Sequence, residues 1–169
     1  SIHRLQRLRH RNDPSVQRES NWSEADHSLP RGLSIQWLGT AGFALSYENT
    51  TVLIDPYVSR KNLATTLRSS CLTSDTELVG QFIDRADAVL IGHTHFDHAV
   101  DVATLARQHG CAVYGSSSLQ HLMGLHSMAE RAVVVEPHRR YEIGPFTVSF
   151  TPSEHSKLLL GLKVPSDGE

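Results

Sequence analysis

Three imidazoles and one carboxylate fall within six consecutive residues of this chain, at His93, His95, Asp97 and His98. They follow the apolar run 87–91, which is short and rich in β-branched residues and therefore predicts a buried strand. Successive side chains of an extended segment alternate in direction, so His93 and His95 are expected to face one metal ion. Asp97 and His98 then turn towards a second. The sequence predicts two adjacent cation sites at the carboxyl end of a strand.

The donor types narrow the choice of metal without fixing it. Zinc binds neutral imidazole nitrogen and carboxylate oxygen, and manganese(II) or iron(II) would accept the same donors. The alternative is a chance cluster of surface histidines on a loop. Four potential ligands at one strand end are dense even for a chain with 11 histidines among 169 residues, which favours the metal site.

The pattern His-x-His-x-Asp-His after a hydrophobic strand resembles the signature of the metallo-β-lactamase superfamily, whose members are mostly binuclear metallohydrolases. Residues 35–43 and 52–57 are similar to the first strands of one branch, which holds the ascorbate-phosphate-lactonase-like and N-acyl-phosphatidylethanolamine phospholipase D-like enzymes. The resemblance covers residues 33–165. It implies an α/β fold, an αββα sandwich built from two similar halves, and two metal ions, zinc by preference, in the complete protein.

Asp55 ends an apolar strand just before Pro56. Burying a carboxylate there is costly unless it accepts hydrogen bonds, and a metal-bound imidazole needs a partner for its other N–H group. In the family that the chain resembles, the acid at this position supports the histidine loop from behind the ligands. The alternative is that Asp55 and Pro56 only start a turn, for which this dipeptide is common.

A later histidine completes the ligand set that the resemblance implies. In the family the next metal ligand lies in a Pro-x-x-His turn, which here corresponds to residues 152–155. The resemblance therefore assigns the first metal to His93, His95 and His155, and the second to Asp97 and His98. Asp97 is also the implied catalytic residue, which would orient a metal-activated water for attack on an ester, lactone or phosphodiester.

The chain is expected to divide at residue 32. Residues 1–32 form a basic, polar N-terminal extension, for which a short amphipathic helix that docks on a membrane surface or a partner is the alternative. Residues 33–169 form the metallo-β-lactamase-like domain, expected to be its incomplete N-terminal portion, because the family draws a bridging aspartate and a last histidine from a second half. On that expectation the chain alone binds metal poorly, and a second copy covers its bared sheet face.

The overall composition limits the partners. The formal net charge is −2, which gives no general attraction for nucleic acid and speaks against a nuclease of the same superfamily. No apolar run reaches the ~18 residues of a membrane span, so no transmembrane segment is expected. The family resemblance implies a small-molecule or lipid-like ester or phosphoester as the substrate. Two cysteines, both interpreted as core or near-core thiols, favour a reducing, cytoplasmic setting. A non-catalytic module is the remaining alternative.

The elements that must position these residues follow from the apolar pattern. Three antiparallel strands are predicted at 33–38, 43–47 and 51–55. The segment 60–74 is expected to flank the active-site cleft, and Ser74 to cap a helix whose buried face includes Phe82. The remaining predicted elements are a helix over 99–109, a strand over 111–114, a short helix carrying Leu119 and Met123, and strands at 132–136, 140–143 and 146–151.

Overall fold

The computed structural model describes residues 29–61 and 71–152. Compact packing divides the chain between Arg31 and Gly32, and every described helix and strand lies in the second unit. The predicted extension falls outside the described residues except for its last four, as does the implied ligand His155. The domain boundaries therefore stay predictions.

A six-stranded sheet forms the centre of this unit. Its strands, in chain order and in spatial order, are β1 (Ser34–Gly39), β2 (Gly42–Tyr47), β3 (Thr50–Ile54), β4 (Ala88–Leu90), β5 (Ala112–Gly115) and β6 (Ala132–Val134). The first three strands are antiparallel, as the sequence predicts, and the strands from β3 to β6 are parallel. Because parallel strands end at the same edge of a sheet, the residues that follow β3 and β4 meet there.

In the part of the chain that the structure describes, four α-helices connect the strands: α1 (Thr76–Phe82), α2 (Phe96–Ala99), α3 (Val102–His109) and α4 (Ser117–Leu125). Their apolar side chains share one core with the sheet, in which Leu105, Leu119 and Met123 are wholly buried beside Val89 and Val113. Full burial of each such side chain contributes about 1.5–3 kcal/mol. None of the helices in the described part is long and apolar enough to cross a membrane.

A separate hairpin, β7 (Arg140–Ile143) and β8 (Phe146–Ser149), packs on apolar residues of β3 and β4. Its Ile143 joins a small core with Val52 and Leu90. The register of β1, β2 and β3 places Ile35 and Trp37 of β1 on the same face of the sheet as Val52. Their side chains are 52% and 67% exposed. This part of the face is apolar and open, and the homo-oligomer predicted to cover it stays a prediction.

The predicted start of α1 is wrong, and so is the predicted burial of Phe82. The side chain of Asp75, not that of Ser74, caps the helix. Val79 and Ile83, four positions apart, form the buried stripe, and Phe82 is 63% exposed. Residues four apart on a helix share one face, so the stripe set by Val79 and Ile83 leaves Phe82 at its margin.

The interpretation of both cysteines as core or near-core thiols is wrong for Cys71, which is exposed in a polar segment. Cys111 is buried just before β5, and burial raises the pKa of its thiol. Because the thiolate is the reactive form, iodoacetamide is expected to modify only Cys71 in the folded protein and both thiols in denaturant. Peptide mass spectrometry measures this, and rapid labelling of Cys111 in the folded chain would show that the sheet opens there.

Candidate metal centre

Asp55 lies where β3 and β4 end side by side. Its backbone N–H donates to the carbonyl of Leu90 at 2.9 Å, which extends the parallel ladder one residue beyond β3. The residue has a left-handed backbone, with φ of 42°, that is unfavourable for a side chain with a Cβ. The strained residue is 9% exposed and stands against the histidine loop.

The carboxylate of Asp55 reaches two groups of that loop. Its Oδ1 accepts a hydrogen bond from the backbone N–H of Gly92 at 2.8 Å. Its Oδ2 lies 3.1 Å from Nδ1 of His98, in close contact but without hydrogen-bond alignment. A Cβ at Gly92 would lie only 3.1 Å from Asp55 Oδ2, so the glycine allows this approach. These contacts are more than a turn-initiating Asp-Pro pair requires.

The four predicted donors form two neighbouring pairs. His93 Nε2 and His95 Nδ1 are 3.0 Å apart, and His98 Nε2 is 3.7 Å from Asp97 Oδ2. The rings of His93 and His98 join the pairs, with their centroids 3.9 Å apart. The backbone is extended at His95 and helical from Phe96, the first residue of α2, and this change turns the second pair away from the first.

Burial lowers the pKa of His93 below its usual value. The neighbouring imidazoles of His98 and His95 lower it further, while the carboxylates of Asp55 and Asp97 act in the opposite direction. A lowered pKa keeps the ring neutral near neutral pH. Neutral imidazole is the form that binds a metal ion.

The donors fit a divalent cation in chemical type and in pairwise spacing. Two ligands of a tetrahedral zinc ion at about 2.0–2.1 Å lie about 3.3 Å from one another, between the two donor separations above. Within residues 29–61 and 71–152, however, no group of three or more His, Cys, Asp and Glu side chains is arranged to hold a metal ion. The implied third donor, His155, lies outside this part, so the ligand assignments stay predictions.

Asp101 is an organising residue that the sequence analysis missed. Its carboxylate is fully buried and accepts hydrogen bonds from the backbone N–H groups of Val58 at 2.7 Å and Ser59 at 2.8 Å. It also accepts from the hydroxyls of Ser59 and Ser74, the latter at 2.7 Å. The helix predicted over 99–109 begins three residues later, as α3, and Asp101 is the residue just before it. The available signal was a single acid inside a strongly apolar run, which is costly unless it is paired.

The Asp101 network places Tyr57 beside the histidine loop. Val58 and Ser59, held by the carboxylate, directly follow Tyr57, whose ring meets that of Phe96 edge to face at 6.0 Å between centroids. Tyr57 is 6% exposed, and burial raises the pKa of its phenol. The side chain is therefore uncharged near the donors. The same network fixes both ends of the segment 60–74.

This arrangement of parallel strands, histidine loop and buried acid defines a metallo-β-lactamase-type domain. A family model described as the Beta-lactamase superfamily domain matches residues 50–168, and the chain belongs to this superfamily. The match covers most of the chain, including β3, which ends at Asp55, and β4, which precedes the histidine loop. It confirms the family predicted from the sequence motif.

Curated relatives carry the description metal-dependent hydrolase. The chain is 32% identical over 126 residues to a UPF0173 metal-dependent hydrolase of Ruegeria pomeroyi. The aligned region covers 73% of this chain and 49% of the relative. It is 28% identical over 123 residues to one of Carboxydothermus hydrogenoformans, at 73% and 48% coverage. The chain thus spans about half the length of the curated relatives it matches.

Solved structures share the fold. Igni18, a metallo hydrolase from Ignicoccus hospitalis, superposes with a TM-score of 0.53 at 17% identity, over 73% of this chain and 50% of that one. CmlA, a diiron β-hydroxylase from Streptomyces venezuelae, superposes with a TM-score of 0.54 at 20% identity, over 83% and 27%. At these identities the likeness concerns the fold alone, and it confirms the predicted α/β class and metallo-β-lactamase architecture.

Proposed function

We propose that this chain carries the metal-binding loop of a metal-dependent hydrolase that cleaves an ester, lactone or phosphodiester bond. The observation that carries the proposal is the pairing of His93 with His95 and of Asp97 with His98 at one sheet edge. The match to a superfamily model and the metal-dependent hydrolases among its relatives support it.

The residues would divide the work between two cations. In this proposal His93, His95 and His155 hold the first, and Asp97 and His98 contribute to the second, with zinc preferred and manganese or iron accepting the same donors. When bound, such a cation lowers the pKa of a coordinated water towards neutrality and polarises the bond to be cleaved. Asp97 would accept a hydrogen bond from the attacking water and so orient it towards the substrate.

Asp55 lies against the ring of His98. Its Oδ2 is 3.1 Å from Nδ1, while Nε2, the other ring nitrogen, faces Asp97, so a metal-bound His98 would have a carboxylate beside its non-ligating nitrogen. Tyr57 and Phe96 pack edge to face beside the histidine loop. These contacts from the chain's own residues support the orientation of the loop that a cation would need.

The substrate is proposed to be a small or lipid-like ester or phosphoester in the cytoplasm. A nuclease of the same superfamily is disfavoured by the net charge of −2, because binding to the phosphate backbone relies on clustered basic residues. A non-catalytic module is the other class. Salt-dependent binding to nucleic acid would favour the nuclease. A full-length protein that is folded without bound metal would favour the non-catalytic module.

The proposal is tested by metal analysis and by hydrolysis in the same preparations, for this chain and for the full-length gene product. Inductively coupled plasma mass spectrometry measures the number of metal ions per chain. The probes p-nitrophenyl acetate, a γ-lactone and bis(p-nitrophenyl) phosphate represent the ester, lactone and phosphodiester bonds. For the full-length gene product we expect activity on at least one probe that a chelator abolishes and added zinc, manganese or iron restores, whereas this chain alone is expected to bind metal poorly and to turn over little or nothing. Activity that chelation leaves unchanged would refute the proposed mechanism.

Replacing Asp55 with alanine is expected to weaken metal binding by about 10 to 100-fold, because it removes the partner of a ligand without removing a ligand. Competition with a chromogenic chelator measures the affinity. Asp84→Ala, at an exposed acid, is the matched control and should leave the affinity unchanged. An unchanged affinity in Asp55→Ala would reduce Asp55 to a turn residue.

A further inference from the structure

A cleft of about 580 Å³ lies beside the histidine loop, among α2, α3 and α4. Its volume is within the roughly 300–1,000 Å³ typical of small-ligand sites. Thr94 and Phe96 of the loop line it, whereas the four predicted metal donors do not. The cleft is therefore a separate site that shares the backbone of the loop.

The walls of this cleft are mainly apolar. The aliphatic and aromatic side chains that line it are Leu72, Phe96, Ala99, Val100, Ala103, Leu122 and Leu125. Phe96 and Leu125 are 42% and 72% exposed to water, although both are large and apolar. An apolar ligand in the cleft would bury these two side chains, which favours its binding.

Arg107 gives the cleft its charge. It is the single Lys or Arg among the described lining residues, and none of those residues is Asp or Glu. In the described part of the chain its guanidinium forms no ion pair and no hydrogen bond. A cation without a counter-charge beside an apolar surface complements a ligand that joins one carboxylate to a hydrocarbon chain.

Thr94 provides a second, independent observation. Its hydroxyl is shielded from water and has no hydrogen-bond partner among the described residues. A buried hydroxyl is normally paired. Thr94 therefore brings to the cleft wall a hydroxyl whose hydrogen-bonding capacity the described residues leave unused.

We propose that this cleft binds a medium-chain fatty acid, with the carboxylate at Arg107 and the hydrocarbon chain against Phe96 and Leu125. The site does not depend on the hydrolase proposed above, because it uses none of the metal donors. A bound chain would pack on Thr94 and Phe96, which alternate with the predicted donors along the loop.

The test is calorimetric titration of the metal-free chain with decanoate below its micelle concentration. We expect saturable binding of one molecule per chain, and binding weaker by about tenfold or more in Arg107→Gln, since a charge-assisted hydrogen bond is lost. Decanol, which lacks the charge, should also bind more weakly. Arg140→Gln is the matched control, because Arg140 is an exposed arginine outside the cleft and should not affect binding.

A second variant keeps the test decisive if Arg107→Gln fails to fold. Leu125→Glu changes a 72% exposed position at the rim and adds a negative charge to the lining, so it should also weaken decanoate binding by about tenfold. Absence of saturable binding to the unmodified chain would overturn the proposal, and that is also the result expected if another part of the chain fills the cleft. Equal affinity of Arg107→Gln and the unmodified chain would overturn it as well.

Discussion

Replacing His93 or His95 with alanine in the complete protein is expected to lower metal content and hydrolytic activity together. Their facing nitrogen atoms are 3.0 Å apart, so loss of either ring leaves the first cation with one ligand fewer from this loop. The loss in metal affinity should exceed the ~10 to 100-fold expected when only the partner of a ligand is removed. Metal per chain and chelator-sensitive rate, measured on one preparation, report both effects.

His121→Ala is the matched control for these two variants. His121 is an exposed histidine on α4, and its replacement should preserve metal content and rate. Circular dichroism of all three variants separates loss of a ligand from loss of the fold. Full metal occupancy together with a full rate in His93→Ala or His95→Ala would show that the predicted ligand set is wrong.

Asp101→Ala is expected to lower the free energy of unfolding by about 3–5 kcal/mol, as in other buried charged networks that lose one partner. The carboxylate accepts hydrogen bonds from the N–H groups of Val58 and Ser59 and from the hydroxyls of Ser59 and Ser74. Removing the carboxylate leaves these four donors without that partner. Urea denaturation followed by far-ultraviolet circular dichroism measures the change. Asp101→Asn should lie between the alanine variant and the unmodified chain.

The exposed acid Asp84 provides the control for this prediction. Asp84→Ala should change the free energy of unfolding by no more than about 0.5 kcal/mol, the usual size at the surface. A change below about 1 kcal/mol in Asp101→Ala would mean that the network contributes little to the stability of the folded state.

The strand ends and the pairing of the donors could be predicted from sequence because both depend on local pattern. The apolar run before Gly92 predicts a buried strand. Because side chains alternate with period two, His93 and His95 are expected on one side of the extended segment and Thr94 on the other. Asp55 could be selected because a carboxylate at the end of an apolar strand needs partners. The register of β3 against β4, which the sequence does not specify, then brings it to the loop.

The features that could not be predicted depend on partners far away in the chain. Ser74 has the residue type and spacing of a helix cap, but its hydroxyl serves Asp101, 27 positions later, and Asp75 caps instead. Phe82 has the right spacing for a buried face, yet Val79 and Ile83 occupy the core. Short-range patterns cannot choose between such alternatives, because the packing that selects one involves other elements.

Because Asp101 fixes both ends of the segment 60–74, the length of that segment can change without moving the strands or the histidine loop. Each doubling of a flexible loop adds only about 0.6 kcal/mol of closure entropy, which is small beside the network at its base. The segment is therefore expected to accept insertions and deletions that residues 92–98 would not tolerate. Variants with insertions or deletions between Arg60 and Ser74, compared in urea denaturation with equal changes in residues 92–98, would measure this difference in tolerance.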